Sequence, residues 1–313
     1  LFFFYFKFAI NFSSQELIKN ENQIKFFEKY SKRLHHLRQF KQNYIDFTEP
    51  KNLLLYSSKD NKPNQENILF LGDSWFVQLL YYNTSKKQIN EYIKSRNLNL
   101  FNGAVSSYSP SLTFIQYKIL IQDFKLKPDY LIIYFDQNDF GDEICRYKNN
   151  RIYDQQNKLW GIKDYLLTPR LIFLSKLDND NIPIFLKEFK KFNFYLKERI
   201  ILAKNKLFTK VRKNIYGCSA EEIFSYLIEP NKNDLDYFKK TLHRFLDYIY
   251  ADNQLKKILI VTFPHRNHLQ NIQNLNKTKN YNIDIGDLVK EYSIGKEKMH
   301  HLNFSDLIKK NIF

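Results

Sequence analysis

Glycine is scarce in this chain, only seven among 313 residues, while Lys, Asn, Ile, Phe and Tyr are abundant. That skew fits an AT-rich coding bias. Hydrophobic residues reach 43%, with 29 Phe and 22 Tyr, which excludes a disordered polymer and leaves room for a sizeable core in one or two domains. Cysteine is scarcer still: Cys145 and Cys218 lie far apart, which excludes a cysteine metal motif and leaves open whether they pair or stay free. No run is long enough to span a bilayer, which takes roughly 20 apolar residues. No internal repeat or low-complexity tract is present. Lys and Arg outnumber Asp and Glu by 49 to 33, a net charge of +16. No Arg-rich block or nucleic-acid motif concentrates that excess, so the charge reads as generic and argues against a nucleic-acid partner.

The opening "LFFFYFKFAINF" is apolar apart from Lys7. It reads either as the surviving end of a signal or anchor segment, giving attachment to a membrane, or as an ordinary buried element. Ser13 stands three residues before Glu16, a capping-box pattern, and helical spacing follows over 14–42. Residues 13–60 therefore read as a helical arm with a polar linker, and the main domain as 61–313. Within that domain "ILFL" (68–71), "LNLF" (98–101), "YLIIYF" (130–135) and "KILIVTF" (257–263) read as buried strands. Helical stretches between the first three predict βαβ units and a parallel sheet. Residues 146–250 read as a mostly helical insertion, with Thr168-Pro169 as a helix start. Its "LKEFKKFNFYLKERIILAKNKLF" is basic and amphipathic, the pattern of a solvated face, a membrane-surface helix or a lid.

Ligands in a parallel sheet bind beyond the carboxyl ends of the strands. Polar residues collect there: Gly72-Asp73-Ser74, then "NGAVSSYSP", "DQNDFGDE" and "PHRNH". Ser74, at a strand-to-helix turn, is displayed as a nucleophile or caps a helix. A serine needs a base and an oxyanion hole, in which one donor contributes roughly 3 kcal/mol. The Ser74 amide, the backbone near Ser106-Ser107 and the Asn138 carboxamide are the candidate donors, and the base must be a histidine brought in by folding. His265, His268, His300 and His301 lack a clean zinc spacing. "GDE" at 141–143 reads first as a solvated loop end and second as a cation or sugar ligand. His265 and His268 read first as solvated loop residues and second as substrate contacts, while His35 and His36 read as inert members of the arm.

In these blocks the chain resembles the SGNH (GDSL-type) hydrolase superfamily. Gly72-Asp73-Ser74 matches the first block, Asn102 to Ser107 the second, Asp136-Gln137-Asn138-Asp139 the third and His301-Leu302-Asn303 part of the last. The resemblance covers roughly residues 66–142 and 235–313. It implies an α/β fold, a three-layer α/β/α sandwich with a short, flavodoxin-like parallel sheet. It further implies Ser74 as nucleophile, Ser107 and Asn138 as oxyanion donors, His301 as base, and no metal or organic cofactor. Three departures stand out: Ser107 and Asp136 replace family glycines, and Lys298 stands three before His301 where an Asp belongs. "EKMHH" therefore offers two registers, His300 with Glu297 or His301 with Asn303, and Asp73 is a further alternate site residue. The implied activity is ester hydrolysis through an acyl-serine, with substrates among acylated envelope polysaccharides or lipid esters. An O-acyltransferase, an inactive glycan-binding relative and a basic binding module are the alternatives.

Overall fold

The computed structural model describes residues 21–35, 37, 53–57, 64–79, 82–163, 172–177, 180–208, 231–263, 284–304 and 306. The opening apolar segment, Thr168-Pro169, His36, Cys218 and the "PHRNH" histidines lie outside them. Helix α1 (Glu21–Ser31) leads to β1 (Tyr56–Ser57) and β2 (Glu66–Leu71), followed by α2 (Ser74–Leu79) and α3 (Asn83–Ser95). Next come β3 (Leu98–Asn102), α4 (Pro110–Gln122), β4 (Tyr130–Asp136) and α5 (Asn138–Gly141), which runs into a π-helical turn over Asp142–Tyr147. A hairpin of β5 (Arg151–Tyr153) and β6 (Leu159–Ile162) precedes α6 (Ile184–Phe208) and α7 (Lys232–Tyr250). The chain closes through β7 (Lys257–Phe263), α8 (Ile285–Ser293) and β8 (Met299–Asn303).

Six strands form one mixed sheet in the order β1-β3-β2-β4-β7-β8, parallel except for the β1–β3 pair. Strands covered on both faces read as continuous apolar runs, which is why the four sequence runs coincide with β2, β3, β4 and β7. One face, with Leu69, Leu71, Ile133, Phe135, Ile258 and Ile260, shares a core with α1, α4, α7 and α8. The other carries Ile68, Phe70, Leu100, Tyr134 and Val261 against Phe76 and Val77 of α2 and Ile93 of α3. The fold is thus mixed α/β around a mostly parallel sheet with helices against both faces.

The helical arm is part of that core, not an appendage: Ile24, Phe27, Tyr30, Leu34 and Leu37 are buried in the main cluster. The segment between β4 and β7 is less uniformly helical than its pattern predicts, since it holds the β5–β6 hairpin. Helix α7 packs on the sheet: Phe238, Leu242, Phe245, Leu246 and Ile249 recur at helical spacing and are buried in the core shared with β4 and β7. "GDE" is a correction. Asp142 and Glu143 are buried rather than solvated, at 5% and 0% exposure, because Arg146 and Arg151 pair with them. Cys145 is disulfide-bonded, and no described helix is long and apolar enough to cross a membrane.

Candidate functional site

The sheet order places the reversal point at β2, with β3 paired on one side and β4 on the other. A crevice outside the carboxyl ends of β2 and β4 is where such a fold binds ligands. Gly72 ends β2 at φ +142°, and a Cβ there would lie 2.7 Å from the Tyr134 carbonyl oxygen. Only glycine permits this approach, so Asp73 and Ser74 are delivered against the end of β4. Ser74 opens the six-residue α2 and is partly exposed. Its hydroxyl meets Asp73 Oδ2 at a long 3.5 Å, and the Trp75 amide donates to Asp73 Oδ1 at 2.9 Å.

Asn102, at the end of β3, ties that strand's end to α2. Its Nδ2 donates to the Phe76 carbonyl at 3.2 Å and its Oδ1 accepts from the Ala104 amide at 2.9 Å. Ser107 adopts φ +63°, and Tyr147 donates to its carbonyl at 2.6 Å. That left-handed conformation is the one glycine adopts without cost. After β4, Asp136 Oδ1 accepts from the Asn138 amide at 2.7 Å and the Asp139 amide at 3.3 Å. The Asn138 side-chain nitrogen points to Asp136 Oδ2 at 3.4 Å. Asp136 therefore serves as an acceptor for the turn that presents Asn138.

Electrostatics here are dominated by buried acids. Burial holds the Asp73 carboxyl well above the ordinary range, and the neighbouring Asp136 charge pushes it further. Asp139 is raised likewise by burial first, then by Asp136, Asp73 and Asp142. Burial also lifts Asp142 to about 7 despite Arg146, whose Nε lies 3.1 Å from it. This acid cluster was not foreseen from sequence, because its members follow different strands and meet only through the β2–β4 pairing.

The structure brings Ser74, Asp73 and Asn138 to one edge and does not bring His301 to them. His301 lies within β8, in register with Ile260, Ile133 and Leu71. Three strand spacings, roughly 14 Å, separate that strand from β2. Its ring Nε2 is 2.8 Å from Thr262 Oγ1, on the face that α8 covers, opposite the face of Tyr134. Burial lowers its pKa, while Asp306 and Asp287 oppose and Lys290 reinforces that effect. The nearby acids are thus Asp306 and Asp287, not Glu297, which is exposed in the turn before β8. His300 is exposed on the other face, lining a groove of about 480 Å³ with Ile68, Tyr92, Leu98, Tyr130 and Leu259. That groove opens near the amino ends of the strands, away from Ser74. His35, on the arm, is buried with its ring 5.6 Å from that of Tyr147.

Comparison with protein-family models, with curated proteins and with solved structures finds no match to this chain.

Proposed function

We propose that the chain is an SGNH-type ester hydrolase or acyltransferase acting through an acyl-serine at Ser74, on acyl groups of envelope polysaccharide. What supports this reading is that Ser74 and Asn138 open the helices that follow β2 and β4, neighbouring parallel strands at the sheet's reversal point. Helices on both sheet faces are compatible with the three-layer sandwich of that superfamily. The positive φ of Ser107 fits a family glycine position, and the disulfide at Cys145 suits an oxidising compartment.

In this mechanism Ser74 Oγ attacks the ester carbonyl as its proton passes to a histidine. The oxyanion is held by the Ser74 and Ser107 amides and the Asn138 carboxamide. The alkoxide leaves with the histidine's proton, and water or a sugar hydroxyl then takes the acyl group. His301 is held by Thr262 within β8, so the mechanism requires that contact to be released before His301 can serve as base. A non-catalytic glycan-binding protein of the same fold is the second reading, and the His301–Thr262 contact is what favours it.

p-Nitrophenyl acetate hydrolysis by the chain, beside its Ser74→Ala, His300→Ala and His301→Ala variants, tests the proposal. Loss of turnover in Ser74→Ala and in one histidine variant is expected. Equal turnover in wild type and Ser74→Ala would refute it, and silence in folded wild type would favour the binder.

A further inference from the structure

Asp73, Asp136 and Asp139 are all buried, at 4%, 3% and 1% exposure. Each offers one carboxylate oxygen to a cluster whose atoms all lie within 4.8 Å of one another. Three carboxyls removed from water in so small a space are costly unless something neutralises them. The largest charges acting on Asp73 and Asp139 are those of other carboxylates, so they compound one another.

A second observation, independent of the acids, points into the same space. Tyr134 is 4% exposed, and its hydroxyl has no hydrogen-bond partner. It stands on β4 two residues before Asp136, on the same side of the strand, and the charges bearing on it are Asp73, Asp136 and Asp139. Asn138 Oδ1 is likewise a buried atom without a partner. Buried oxygens left unsatisfied beside carboxylates are rare in native proteins and call for an explanation such as an ion.

We infer that Asp73, Asp136 and Asp139 bind a hard divalent cation at the carboxyl ends of β2 and β4, with the Tyr134 hydroxyl beside it. All these donors are oxygens, with no sulfur or imidazole among them, which selects calcium or magnesium over zinc or copper. Calcium–oxygen distances of about 2.3–2.6 Å let opposite ligands stand about 4.6–5.2 Å apart, so the cluster accepts calcium as it stands. Magnesium, with opposite ligands about 4.2 Å apart, would draw the widest-set oxygens together. The cation would neutralise most of the cluster's charge and pin the two loops that carry Ser74 and Asn138. This site goes beyond the ester-hydrolase reading and does not depend on it.

The test is the thermal unfolding of the full chain, stripped with EDTA, as calcium chloride or magnesium chloride is titrated in. A saturable rise is expected, about 4 °C at a hundredfold excess over Kd for a chain of this size. Asp139→Asn should fold at least as stably without cation, because like-charge repulsion is relieved, and should lose the rise. Tyr134→Phe should weaken cation affinity while remaining folded. Absence of a rise in wild type, or an equal rise in wild type and Asp139→Asn, would overturn the site and assign the cluster to shared protons. The readout involves no ester, and repeating it on Ser74→Ala separates its failure from failure of the proposed activity.

Discussion

At the scale of single residues, two backbone positions set the edge where Ser74 stands. Gly72 combines φ +142° with a backbone contact that leaves no room for a Cβ. Gly72→Ala should therefore cost roughly 2–5 kcal/mol from dihedral strain and overpacking, read as a lower urea midpoint. Ser107 poses the opposite case, a side chain tolerated at φ +63°. Ser107→Gly should raise stability by about 0.5–1 kcal/mol in the same measurement, since the strain exceeds the added entropy cost. Its amide is retained, so turnover should survive. The Gly72 turn was legible because the apolar run stops there. The positive φ of Ser107 has no local signal in the sequence.

Among elements, the buried Glu143 locks the start of α4 to the β5–β6 hairpin and α7. Its Oε2 accepts from Ser109 Oγ at 2.5 Å, and its Oε1 accepts from Ser111 Oγ at 2.6 Å and Arg151 Nη2 at 2.5 Å. Arg151 reaches on to Thr241 Oγ1 at 2.9 Å and lies over the Tyr237 ring. Arg151→Met should cost roughly 3–5 kcal/mol, because it strands a buried carboxylate, and calorimetry would show it. Nothing local announces this lock, whose members come from four elements. The same limit governed the strands. β2, β3, β4 and β7 were legible as apolar runs, while β8 hid because "MHHLN" is a polar edge strand. β5 and β6 are short strands joined by a turn in which Asp154 Oδ1 accepts from the Gln156 and Lys158 amides. The turns that carry Ser74 and Asn138 were legible from where the apolar runs end. The placement of His301 depended on the edge pairing of β8, which its sequence does not encode by periodicity.

For the whole molecule, buried acids make stability depend on pH. Burial, with Asp136 and Glu143 reinforcing it and Arg146 opposing it, lets Asp142 keep its proton up to about 7, while an unfolded Asp gives it up near the ordinary carboxylate value of about 3.9. The folded form thus binds more protons in that window, and stability falls as pH rises through it. His301 acts oppositely, since burial lowers its pKa and the folded state resists protonation as pH falls below the ordinary imidazole value of about 6.5. In EDTA the urea midpoint should be higher near pH 5 than near pH 8, and Asp142→Asn should flatten that dependence. The functional claim also belongs to the whole molecule, since Ser74 gains a role only if the edges of several strands cooperate. Its most direct test is the mass of the intact chain after incubation with a fluorophosphonate. One phosphonyl group on Ser74, absent from Ser74→Ala, is the expected result. An unmodified, folded wild-type chain, alongside a serine esterase control that labels fully, would contradict a nucleophilic Ser74.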